Sequence, residues 1–196
     1  MIVRLSQVIL NFIYRHSELS REMNDIYQYG IEITLSSALN IMLVIGFSVL
    51  ITDIPSGVIF LLLFVSMRSF TGGYHASTYF RCNSIMLLTF LTVYLLYRNL
   101  CQLNIDIHIY EALLLLNLMP ILVFAPVPNK HKKLSQSQMR FNHIVSVIMG
   151  ILLSLTAFIL ILFKIRYGVL IVMTISSISV MIIIESLLQR REYHEC

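Results

Sequence analysis

Six apolar runs, each close to the length that crosses a bilayer, recur along the 196 residues and constrain the fold more than any other feature. They lie at roughly 31–52, 54–70, 84–100, 107–126, 142–163 and 167–188, to be compared with the ~20 apolar residues a spanning helix needs. Composition agrees: 58% of residues are hydrophobic, 12% are charged and mean hydropathy is +0.83, whereas soluble domains carry about 25% charged residues. The expected fold is an all-α polytopic integral membrane protein, with about six transmembrane helices in a single domain over 1–196. The second run is the short one. Its clean apolar stretch, Ile54 to Met67, suits a tilted helix or a re-entrant segment that turns back to the same face.

The first residues are not a span. Ile2, Leu5, Ile9, Phe12 and Ile13 follow helical spacing while Arg4, Gln7, Asn11 and Arg15 take the other face. This pattern predicts an amphipathic helix lying in the interface plane, followed by a polar lead-in, together covering 1–28. Arg4 and Arg15 interrupt the apolar N-terminus and no small-residue cleavage site follows, so a secretory leader is not expected. The formal charge of +4 is spread over the loops, which argues against a nucleic-acid partner. Cys82, Cys101 and Cys196 are too few and too scattered for a disulfide framework or a CxxC metal site.

Charge sets the expected orientation. With six spans and the N-terminus inside, Arg98, Lys164 and Arg166 are the basic residues of the outer loops, and the other eleven of the fourteen fall inside. The positive-inside rule therefore places both termini in the cytoplasm, with Cys101 and Glu111 outside. The loop over 126–141 is basic and cytoplasmic by the same count, and Pro126 and Pro128 end the helix before it. Its Lys130, Lys132 and Lys133 suit topology and anionic-lipid contact, or docking of an acidic peptide segment.

One polar, glycine-broken segment remains, the cytoplasmic stretch 68–83. It carries His75 seven residues before Cys82. A thiol beside an imidazole is the minimum equipment for nucleophilic acyl chemistry: the imidazole takes the proton and the thiolate attacks a carbonyl. On one straight helix seven residues separate the pair by about 10.5 Å, too far for the ~3 Å of direct proton transfer. Gly72 and Gly73 offer the break that folds His75 back over the start of the third span. Cys82 then sits near a helix N-terminus, where the dipole and free N–H groups favour the thiolate. The bland alternative is a chance pairing with an inert, packing cysteine. A zinc site needs ligands that are not nearby.

The combination of Arg68, Gly-Gly-Tyr-His-Ala at 72–76 and Cys82, in a chain of this length and span number, resembles the accessory gene regulator B (AgrB) family. The likeness covers essentially the whole chain, including Ala-Pro-Val-Pro-Asn-Lys at 125–130. It implies a bacterial membrane cysteine endopeptidase of peptide quorum sensing, without cofactor or metal. Such an enzyme removes the C-terminal tail of a short amphipathic propeptide and promotes thiolactone or lactone closure. The resemblance makes His75 the base and Cys82 the nucleophile, with Arg68, Gly72 and Gly73 supporting. The bilayer is the other partner, and the reading admits a homodimer. Glu32, or Asn83, could orient the imidazole, although a carboxylate at a helix end more ordinarily pairs with an interfacial arginine; Glu185 falls at the same level. The rival reading is a non-enzymatic peptide exporter or scaffold, in which Gly72-Gly73 is a plain helix break.

Overall fold

A computed structural model describes residues 2–16, 24–72, 78–103, 105–127 and 135–194, with side chains described up to 190. Seven helices occupy them: α1 Ile2–His16, α2 Asn24–Leu50, α3 Ile54–Thr71, α4 Tyr79–Gln102, α5 Ile107–Phe124, α6 Gln136–Leu162 and α7 Tyr167–His194. Among the described residues, α2 to α7 are each long and apolar enough to cross a membrane. The chain is thus the all-α polytopic protein that its hydropathy predicts. The helix over the second run is continuous through 18 residues, about 27 Å of axis. The re-entrant alternative is therefore corrected to a short, unbroken span.

Several helices start earlier than the apolar runs do, because capping groups set their ends rather than hydropathy. Thr78 caps α4, its side chain accepting from the Arg81 N–H at 3.3 Å. Ser135 and Gln138 form a reciprocal capping box at α6. The segment over 68–83 therefore consists mostly of two helix ends, the basic loop ends at Ser135, and 24–28 belong to α2 rather than to a polar lead-in.

α7 is the core of the bundle. It packs against α3, α4, α5 and α6, and Leu170, Val172, Ile175 and Ile182 are fully buried. Lipid-facing side chains are as apolar as the core, so helix association relies on close packing and small residues. Gly168 lies against the Ala157 carbonyl and Ile161, and Gly57 lies against Ser48. The Phe60 ring stacks on Phe64 of the same helix at 5.1 Å and meets the tilted ring of Phe90 on α4 at 5.2 Å. α1 is seated on α2, with an open apolar groove of about 410 Å³ between them, lined by Ile9, Ile13, Tyr27 and Ile31 among others.

One chain reversal needs its glycine. Gly72 caps α3 with φ 68° and ψ −146°, a region nearly closed to residues with a Cβ. It also forms a bridge to Val127, whose N–H donates to the Thr71 carbonyl at 2.9 Å. A Cβ on Gly72 would run into the Val127 carbonyl. Gly72→Ala is expected to lower stability by about 1–3 kcal/mol, read as a lower unfolding midpoint of the purified protein in detergent. An unchanged midpoint would contradict this account of the reversal.

Candidate active site

The end of α3 meets the C-terminal part of α7, and the start of α4 meets the N-terminal part of α2. Helix alternation brings the end of α5 and the start of α6 to the same level. There the His143 ring Nδ1 donates to the Ala125 carbonyl at 2.7 Å, next to the cis Ala125–Pro126 bond. The 125–127 strap, through Val127, joins the candidate segment to the root of the basic loop. That link between the two polar segments was not legible in the sequence.

Cys82 sits in the first turn of α4, half-buried, with its N–H donating to the Thr78 carbonyl at 3.0 Å. Its position near a helix N-terminus agrees with the sequence reading. Arg68, in the last turn of α3, is half-buried. Its Nη1 donates to Met181 Sδ at 3.0 Å, and its guanidinium carbon lies 5.6 Å from the Phe64 ring centroid. It is close enough to Cys82 and Glu185 for its charge to interact with both. Arg68, Cys82 and Glu185 therefore share one neighbourhood built from α3, α4 and α7. Glu185 Oε1 also accepts from Gln189 Nε2 at 3.2 Å.

His75 and Gly73, and likewise Lys130, Lys132 and Lys133, lie outside the described residues. In the sequence His75 falls between the α3 cap at Gly72 and the α4 cap at Thr78. The helix that carries Cys82 begins after it, at Tyr79.

Glu32, expected beside an interfacial arginine, is instead partnered by neutral donors among the described residues. Oε1 accepts from Ser6 Oγ and from Gln28 Nε2, each at 3.0 Å, and Oε2 accepts from Tyr79 Oη at 2.8 Å. The reason is placement: the carboxylate is buried where α1, α2 and the first residue of α4 converge. One turn further along α2, Ser36 Oγ donates to Asn83 Oδ1 at 2.8 Å. Ser6, Ser36 and Tyr79 were not singled out from sequence. A signal was present, since Gln28, Glu32 and Ser36 recur every four residues and put a polar stripe on one face of a membrane helix. Cys101 lies at the other end of α4, its Sγ 3.9 Å from the Arg166 carbonyl.

Comparison with known proteins follows the same lines. The family profile described as Accessory gene regulator B matches residues 6–188. An AgrB-like protein from Clostridium beijerinckii is 28% identical over 127 residues, a stretch that covers 64% of this chain and 63% of that protein. The matched region thus spans less than two thirds of that relative's length. No solved structure matches the chain.

Proposed function

Because the chain belongs to the accessory gene regulator B family, whose general role is in peptide quorum sensing, we propose that it is a membrane cysteine endopeptidase acting on an autoinducing propeptide. The observation that supports the reading best is the position of Cys82: half-buried in the first turn of α4, within reach of the charge of Arg68, and shortly after His75 in the sequence.

In this mechanism the Cys82 thiolate attacks the carbonyl at the junction between the propeptide's ring-forming part and its C-terminal tail. His75 removes the thiol proton and returns it to the leaving nitrogen, so the tail departs as an amine rather than as an amide anion. The resulting thioester keeps much of its acyl activation. A cysteine within the peptide then displaces Cys82 by thioester exchange and closes a thiolactone; a serine in its place would give a lactone. Exchange between thioesters is near energetic balance, and a membrane-edge site that excludes water protects the intermediate from hydrolysis. Arg68 sits where it can act on the charge of the thiolate, and Gly72 and Gly73 permit the reversal. The basic residues Lys130, Lys132 and Lys133 offer a docking surface for an acidic stretch of peptide. The purified protein is expected to cleave its propeptide in EDTA and to lose that activity with iodoacetamide. Loss in chelator that zinc restores would replace the thiol mechanism with a metal one.

The proposed setting is a bacterial cell membrane, with both termini and the site at the cytoplasmic face. The excess of Lys and Arg in the proposed inner segments supports it. In a protein lacking its native cysteines, a thiol introduced by His131→Cys is expected to resist an impermeant maleimide in intact cells. One introduced by Arg166→Cys is expected to react. The reverse labelling pattern would invert the orientation.

A further inference from the structure

The two residues that bracket the nucleophile are both tied to α2. Tyr79, three residues before Cys82, donates to Glu32, and Asn83, immediately after it, accepts from Ser36. Glu32 and Ser36 are one turn apart on α2, so the bonds form a two-point clamp across the first turn of α4, and Cys82 lies between them. The clamp continues into α1. Ser6, fully buried, shares its one hydroxyl proton between the same carboxylate at 3.0 Å and the Val3 carbonyl of its own helix at 2.8 Å. A carboxylate has about four acceptor sites, and Ser6, Gln28 and Tyr79 fill three of those on Glu32.

We propose that Glu32, Tyr79 and Ser6 are positioning residues for the thiol: the interfacial helix α1, through Ser6 and Glu32, fixes Tyr79 and so the orientation of the α4 turn that presents Cys82. The proposal rests on the endopeptidase reading and deepens it. None of the three touches the reacting atoms. Their role follows from geometry, because a carboxylate held from two helices is a rigid acceptor and the tyrosine it anchors is the first residue of the nucleophile's own helix. A hydrogen bond to an ionised group is also stronger than one between neutral partners. Seating of α1 at the membrane surface is thereby linked to the geometry of the site through α2 and α4.

The test uses full-length protein in lipid vesicles and two mild substitutions, Ser6→Ala and Tyr79→Phe, each of which removes a hydroxyl. Three quantities are measured: kcat and KM for propeptide cleavage, and amide hydrogen exchange of the peptide covering 79–88. Each variant is expected to lower kcat about 10- to 100-fold, the scale of a misplaced reacting group, with KM within about twofold. The double variant is expected to fall no further than Tyr79→Phe alone, because that change already cuts the link on which Ser6 acts. Exchange over 79–88 is expected to quicken in Ser6→Ala, although residue 6 lies on another helix. Unchanged kcat, losses that multiply in the double variant, or a rise in KM at constant kcat would each overturn the proposal. A Cys82→Ala control separates the two claims. Cleavage by that control at the parental rate would sink the endopeptidase reading, whereas unchanged exchange in Ser6→Ala overturns the clamp whatever the control does.

Discussion

Cys82→Ala is expected to leave the propeptide uncut, with cleavage down by about 10⁴-fold or more, the scale seen when a covalent nucleophile is removed. Cys82→Ser is expected to be nearly as inactive. A hydroxyl is a weak nucleophile at its ordinary pKa, and an oxygen ester would be a poorer donor to an incoming thiol than a thioester is. The serine variant also separates the enzyme from its rival. It preserves shape to within one atom at a half-buried position in the first turn of α4, so an exporter or scaffold would tolerate it and stay functional. Cleavage of membrane-associated propeptide, followed by the appearance of the free tail, is the readout. Parental cleavage by the serine variant would favour the non-enzymatic reading.

His75→Ala is expected to slow formation of the acyl-enzyme by about 10²–10⁴-fold, the usual worth of general acid–base help. The imidazole is asked to act twice, first on the thiol and then on the leaving amine. The loss should therefore be partly recovered at higher pH, where hydroxide replaces the base in the first step, and recovery should be incomplete because the amine still leaves without its acid. Chain length is compatible with the assignment: three residues join His75 to the α4 cap at Thr78, a reach of at most about 10 Å. Single-turnover cleavage across a pH series would measure it. A rate equal to the parent at neutral pH would remove His75 from the mechanism.

Hydropathy made the six spans legible because lipid demands the same apolar length from each. It did not mark where helices begin, since Thr78 and the Ser135–Gln138 box start α4 and α6 ahead of their apolar parts. Nor did it reveal that α7 is central. In a soluble bundle a polar face betrays the outside of each helix, but here Leu62, Leu116 and Leu155 are as apolar as the buried Leu170 while facing outward. The place of Cys82 near a helix start was readable from the glycine-broken polar segment before it. The partners of Glu32 and Asn83 were not, because Tyr79 lies 47 residues from Glu32 and Asn83 lies 47 from Ser36, pairings that only the packing of α2 on α4 creates. Gly72 was read as a hinge, and its tighter constraint comes from Val127, a neighbour that local sequence does not announce.

The central claim is a thioester on Cys82, and it can be weighed directly. A propeptide whose ring-forming cysteine is replaced by alanine has no internal acceptor, so the acyl-enzyme should persist while water reaches the site slowly. Intact-mass measurement of the purified protein mixed with that propeptide should show a mass gain equal to that of the tail-less peptide acid minus one water. The adduct should be released by hydroxylamine and be absent from Cys82→Ala. Linear product released at the parental rate, with no adduct at any time point, would contradict the account.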